Sequence, residues 1–255
     1  NNKRTTNIKY MPHTEYTKAL QSYVKTNGFN GNTMTSDVFY ELGKKLTDMD
    51  MLLANDLATE FMNTYAVKLS LGRPKRMTCK PAKSLARVHQ KLAYTKPCAA
   101  FNANSDLAAF RVNVEINDIK NVSKCLREIV TENNGYLFQQ NSITDPETGL
   151  LTDIVTYYFV YIPEYEYIME FHIGHEFAAY VFTRNSMLRD NPECKIVNFM
   201  SNDFYNHVKE AILAGKRTFA EPLRTEFLAL WDQHGLPREQ IDSKLVGWFL
   251  DMMCY

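Results

Sequence analysis

Several things are scarce in this chain of 255 residues, and each scarcity removes a class of protein. Cysteine is sparse: Cys79, Cys98, Cys125, Cys194 and Cys254 are odd in number, and no two form a C-x-x-C pair. That excludes a disulfide framework and a cysteine-rich zinc site, and it points to a reducing compartment. Ten glycines and nine prolines are too few for a low-complexity or collagen-like chain. Excess charge is missing altogether, with Lys+Arg 29 against Asp+Glu 29, so no global field draws the chain to nucleic acid or to an anionic membrane. No apolar run approaches the roughly 18 residues of a membrane span. The opening Asn1-Asn2-Lys3-Arg4 leads into no apolar stretch, so no signal peptide is expected. A cytoplasmic protein is the expectation, or a virion-associated one if the start at Asn1 reflects processing of a viral product.

The familiar phosphate and nucleophile motifs are missing too. There is no G-x-x-x-x-G-K-[ST], no G-x-G-x-x-G, no G-x-S-x-G and no H-E-x-x-H. P-loop, Rossmann, hydrolase-elbow and zincin readings therefore lack their central residues.

What is present is an aromatic-rich chain (13%) of a length that suits one large domain with its own core. Its charge is unevenly placed. From Phe61 to Ser105 there is no Asp or Glu, while Lys68, Arg73, Lys75, Arg76, Lys80, Lys83, Arg87, Lys91 and Lys96 all fall there. Such a block needs anionic partners. Either acids elsewhere in the fold neutralise it, or it holds a phosphate-bearing ligand, including nucleic acid along residues 68–96.

Hydrophobic spacing predicts helices over 14–27, 36–44, 48–71 and from Ser84 to Leu92, with a basic, proline-containing loop over 73–81. Asp48 or Asp50 is the expected cap of the third. Strand-like alternation follows from Leu107 to Ile116, a helix from Asp118 to Glu132, then strands over 136–143, 151–162 and 167–173. Further helices are predicted near 175–188, 202–214, 219–233 and 238–252. The expected fold is α/β (α+β): a mixed sheet of four to five strands with a βαβββ core. Residues 1–72 would supply N-terminal helices, 73–200 the core and 201–255 C-terminal helices of a single domain.

Two acids stand out in that core. Asp106 begins the first core strand and Glu170 lies in the last. Strand alternation sets Glu170 and His172 on the face opposite Phe171 and Ile173. Two carboxylates facing a cationic segment suit a magnesium-dependent phosphoryl-type transfer, since Mg²⁺ takes one or two carboxylates plus phosphate oxygens. The plainer alternative is that Asp106 ends a strand and Glu170 pairs with Arg111. His172 and His175 invite a zinc reading, without a third ligand at metal-binding spacing.

Three segments resemble the RelA/SpoT-type alarmone synthetase domain. Lys80-Pro-Ala-Lys83-Ser84-Leu85-Ala-Arg87, followed by Lys91, resembles its basic K-x-x-x-S-[IL] segment. Asp106-Leu-Ala-Ala109-Phe110-Arg111 resembles its D-x-x-G-x-R strand, and Glu170-Phe-His172-Ile173 its E-[IV]-Q-I strand. They occur in the family's order across about residues 75–190. The resemblance implies transfer of pyrophosphate from ATP to a 3′-hydroxyl of a nucleotide or, as in toxin-like members, of an RNA end. It implies that Lys80, Ser84, Arg87 and Lys91 hold ATP phosphates, that Asp106 and Glu170 bind Mg²⁺, that Glu170 accepts the hydroxyl proton, and that Arg111 braces the adenine or phosphate side. His172 takes the place of the family's Gln. Thr78, Ala109 and Gly174 stand where the family has Arg, Gly and Arg. The family's N-G-Y-x-S-x-H segment is absent; Asn134-Gly135-Tyr136 comes too early. Tyr158, or its neighbour Tyr157, lies at a suitable distance before Glu170 to stack on the acceptor base instead. The alternative expectation is a relative that keeps the fold and has lost the chemistry, serving as a nucleic-acid-binding or structural assembly protein.

Overall fold

The structure is a computed structural model. It describes residues 13–176 apart from 81, 82 and 96, together with 178, 209–215, 229 and 232. Of the four helices predicted beyond Gly174, nearly all residues lie outside that set. The chain divides into two compact units, one of Asn1–Ser142 with Thr156–Ile173 and one of Ile143–Val155 with Gly174–Tyr255.

The first unit carries the α+β core. Its elements are α1 (Glu15–Asn27), α2 (Val38–Lys44), α3 (Asp48–Ser70), β1 (Arg76–Cys79), α4 (Leu85–Leu92), α5 (Ala99–Ser105), β2 (Ala108–Asn113), α6 (Ile119–Glu132), β3 (Tyr136–Gln139), β4 (Val155–Tyr161) and β5 (Ile168–Gly174). The five strands form one mixed sheet in the order β1-β2-β5-β4-β3. β1 runs antiparallel to β2, and β3 antiparallel to β4. The predicted βαβββ run is β2-α6-β3-β4-β5, and its last three strands are neighbours, as successive strands tend to be.

Local chemistry starts the helices where the sequence changes character. Thr14 caps α1: its hydroxyl accepts from the Thr17 N–H, and the Thr17 hydroxyl accepts from the Thr14 N–H. Thr47, rather than Asp48 or Asp50, caps α3. Asp50 sits three residues on and accepts from the Thr47 N–H at 2.9 Å. Asp50 is also the tie between elements. It is fully buried, and it accepts from Thr14 Oγ1 (2.6 Å), Thr47 Oγ1 (2.6 Å) and the Tyr167 hydroxyl (2.8 Å). Four donors satisfy a carboxylate that burial would otherwise make costly.

Alternation divides the core into two layers. On one face Phe110 and Phe171 stack at 4.4 Å, and Phe61 of α3 inserts against both at 5.4 Å. On the other face Phe159 packs edge-on to Phe101 of α5 at 4.9 Å. Burying an aromatic such as Phe61 stabilises the fold strongly, and its loss to Ala costs about 3–5 kcal/mol.

Two elements differ from the sequence reading. Residues 76–79, expected within a loop, form the edge strand β1. Pro74 lies before the strand, so each of its residues keeps a backbone donor, and Arg76 to Cys79 pair with Asn113 to Phe110. Residues 99–105 form α5, which has no amphipathic period to announce it. Small residues let it pack closely, and the Asn104 amide donates to the Phe39 carbonyl of α2 at 2.8 Å.

In the second unit, residues 143–152 fold as a small turn. Asp145 accepts from the Glu147 and Thr148 N–H groups at 2.8 Å, Gly149 takes φ 70°, and Thr144 bridges Leu151. Among the described residues no helix is long and apolar enough to cross a membrane.

Candidate functional site

The acid-free segment resolves into two sets of cations. The outer set is neutralised at the surface: Lys68 pairs with Glu132, Arg73 with Asp118 (2.6 Å) and Lys75 with Glu115. The inner set turns toward the sheet. Lys80 leaves β1 with its N–H bonded to the Ala109 carbonyl (2.7 Å), and its side chain reaches β5. There Lys80 Nζ lies 3.3 Å from Glu170 Oε2 and 3.0 Å from His172 Nε2, while His172 Nε2 lies 3.1 Å from Glu170 Oε1.

Asp106 forms the second centre. It is the residue at which α5 ends, just ahead of β2, and only 9% of it is exposed. Lys83 and Lys91 both contact its Oδ2. Lys91 is itself only 7% exposed and donates also to the Asn102 carbonyl at 3.3 Å. Asp106 Oδ1 is buried and has no hydrogen-bond partner.

The two centres share one electrostatic neighbourhood. Lys83, in contact with Asp106, also acts on Glu170, and Arg111 on β2 acts on Glu170, Lys80 and His172. Lys80, Lys83, Lys91 and Arg111 thus gather around two carboxylates, and burial is the largest single influence on the pKa of each group whose shift is resolved. Burial lowers Lys80, with Glu170 opposing and Arg111 reinforcing. Burial, then the neighbouring charge of Lys91, brings Lys83 down to about 6. Burial alone would raise Glu170, but Lys80, His172 and Lys83 hold it well below the usual carboxylate range. Burial lowers His172 against the pull of Glu170.

The predicted site residues fall into three groups. Asp106, Glu170, Lys80, Lys91, Arg111 and His172 are brought together. Ser84 and Arg87 sit on the flank: Ser84 Oγ accepts from the Arg87 N–H at 3.3 Å as the cap of α4, and the Arg87 guanidinium bonds Gln90. Tyr158 does not face the cluster. It is buried on the α6 side, where Arg127 donates to its hydroxyl (3.3 Å) and lies over its ring. Its neighbour Tyr157 takes that place, packed edge-on to the His172 ring with centroids 4.6 Å apart. Alternation along β4 decides between them, but which parity matches Glu170 depends on a register that no sequence pattern displays. Lys83, which carried no assigned role, emerges as the link between the two acids; its signal was its position in the K-x-x-K spacing.

At Gly174 the backbone leaves no room for a side chain. A Cβ there would meet the Ile154 carbonyl oxygen at 2.6 Å and Val155 Cα at 2.7 Å.

Asp106 and Glu170 supply the carboxylate oxygens of the cluster. Lys80 and His172 engage the Glu170 oxygens, Lys83 and Lys91 engage Asp106 Oδ2, and Asp106 Oδ1 is buried without a hydrogen-bond partner. Among the described residues no three His, Cys, Asp or Glu side chains gather where they could together hold a metal ion.

Comparison with protein-family models, with curated proteins and with solved structures found no match.

Proposed function

We propose that this cluster is the site of a Mg²⁺-dependent pyrophosphotransferase, moving the β,γ-pyrophosphate of ATP to a 3′-hydroxyl of a nucleotide or RNA end. The observation that carries the reading is the semi-buried meeting of Asp106 and Glu170 with Lys80, Lys83, Lys91 and Arg111. Dehydrated cations held together favour a polyanion. The resemblance to the RelA/SpoT-type synthetase domain adds the order of the three segments.

In this reading Lys80, Lys83, Lys91 and Arg111 hold ATP phosphates, and Arg87 with Ser84 flanks them. Asp106 and Glu170 would hold Mg²⁺, which when bound supplies charge neutralisation at the phosphates. The acceptor oxygen attacks the β-phosphorus, the bond to the α–β bridging oxygen breaks, AMP leaves, and Glu170 takes the hydroxyl proton. Phosphate bound at Lys80 and Lys83 offsets the charges that depress Glu170, so the carboxylate becomes a better base when the substrate arrives. Tyr157, beside His172, is placed to stack on the acceptor base in the role first assigned to Tyr158.

A reducing, cytoplasmic setting fits the free thiols of Cys79, Cys98 and Cys125. Nucleic-acid binding along the whole 68–96 segment has less support, because Lys68, Arg73 and Lys75 are already paired with acids. The test is incubation with γ-labelled ATP, Mg²⁺ and a panel of nucleotides and RNA. Label should pass to an acceptor, and Glu170→Gln should lower the rate by about 10²–10⁴-fold.

A further inference from the structure

The two lysines on Asp106 are not held alike. Lys91 belongs to α4, and its side chain is only 9% exposed. Besides contacting Asp106 Oδ2 it donates to the Asn102 carbonyl at 3.3 Å. Lys83 contacts the same Oδ2, but it lies just ahead of Ser84, the cap of α4, and so outside the helix. Its side chain is 31% exposed. A lysine stem is flexible, so this amine can turn away without disturbing helical hydrogen bonds. Lys91 is thus the fixed partner of Asp106 and Lys83 the movable one.

That difference decides what can reach the acid. Asp106 Oδ1 is buried, and of the two side chains on Oδ2 it is Lys83 that separates this oxygen from solvent. Glu170 is engaged at both oxygens, by Lys80 at 3.3 Å and by His172 at 3.1 Å. A divalent cation such as Mg²⁺ needs carboxylate oxygens turned toward it and gives up its own water reluctantly. Neither acid offers such an oxygen while these contacts stand. A polyphosphate meets no such obstacle, because its oxygens are themselves strong acceptors for lysine. If Lys83 turns from Asp106 to an arriving phosphate, Oδ2 is opened beside that phosphate.

We infer that Lys83 is a displaceable plug on Asp106, keeping divalent cations off this carboxylate until a polyphosphate draws the amine away. Polyphosphate then precedes or accompanies the metal, an order of arrival that rests on the transfer reading above. Each ligand must strengthen the other on the protein, because the coupling is reciprocal.

The test uses the full chain with Mn²⁺ as the metal probe, bound ion being counted by electron paramagnetic resonance without nucleotide. Wild type is compared with Lys83→Met, Lys83→Ala and Lys83→Met/Asp106→Asn. Either single variant should bind Mn²⁺ about tenfold or more tighter than the wild type, and the added Asp106→Asn should abolish the gain. A second measurement needs no variant: calorimetry should show ATP binding to the wild type in EDTA. Equal Mn²⁺ affinity in the wild type and a folded single variant, or a gain that survives Asp106→Asn, overturns the plug. ATP that binds only with metal, or not at all, overturns it too. Transfer activity is a separate readout. An inactive protein with the expected binding pattern loses the reaction and keeps the plug, whereas an active one with equal Mn²⁺ affinities keeps the reaction and loses the plug.

Discussion

Lys80 Nζ lies 3.3 Å from Glu170 Oε2, a pair joining residues ninety apart in the chain. β1 and β5 are not neighbours in the sheet, and β2 separates them. The lysine therefore crosses over β2, past Arg111, to reach the acid. An ion pair made only for stability would gain little from such a reach, since desolvating two charges offsets much of their attraction.

Removing Lys83 should therefore stabilise the protein in anion-free buffer. Lys83 and Lys91 contact the same oxygen of Asp106, so one carboxylate serves two lysines. At pH 7.5 the folded Lys83 amine is largely neutral, so Lys83→Met leaves Lys91 on Asp106 and removes the cost of stripping that proton on burial. Thermal melts at pH 7.5 should show a Tm higher by about 2–4 °C, corresponding to roughly 1 kcal/mol, together with weaker stabilisation by added ATP. A lower Tm would mean that Lys83 is a net structural cation.

The pH dependence has two limbs. Glu170 has a folded pKa below its ordinary 4.5, so its contribution is present above that value and is lost as pH falls below it. Lys83 titrates near 6 when folded and near 10.5 when unfolded. Between those values the unfolded chain binds more protons, so stability rises with pH through this window. Urea melts from pH 3 to pH 10 should show the alkaline rise flattened in Lys83→Met and the acid limb reduced in Glu170→Gln.

Much of the fold was legible because its signals are periodic. The helices around Leu20, Leu57 and Ile129, and the alternation through Phe110 and Phe171, follow from side chains that must share a buried face. β1 was hidden because its four residues, Arg76-Met77-Thr78-Cys79, are too few to show an apolar period beside Pro74, and α5 because its Ala and Asn residues give none. The acids Asp106 and Glu170 were visible as types at meaningful positions. That Lys83 links them, and that Tyr157 rather than Tyr158 faces His172, depends on strand register and loop reach, which residue spacing along one strand does not encode.

The Asp50 network gives a stability prediction independent of function. Tyr167 donates at 2.8 Å to a carboxylate with no exposed surface. Tyr167→Phe withdraws one of its donors and should cost about 1.5–3 kcal/mol, the range for a hydrogen bond to a charged group. Equilibrium urea unfolding measures it directly, and a change below about 0.5 kcal/mol would mean that the other donors suffice.

Gly174 should resist any side chain. Its missing Cβ faces backbone atoms of Ile154 and Val155, which cannot swing aside as a side chain would. Gly174→Ala should destabilise by about 1–3 kcal/mol through overpacking, read as a lower urea midpoint. An unchanged midpoint would show that the 154–155 backbone yields.

The transfer assay with γ-labelled ATP and Mg²⁺ tests the central claim most directly when run beside Asp106→Asn and Glu170→Gln. The account predicts label passing to a 3′-hydroxyl acceptor with the wild type, and loss of about a hundredfold or more in each variant while the melting curve stays cooperative. Absence of both transfer and ATP-induced stabilisation in the wild type, or full activity in either variant, would contradict it.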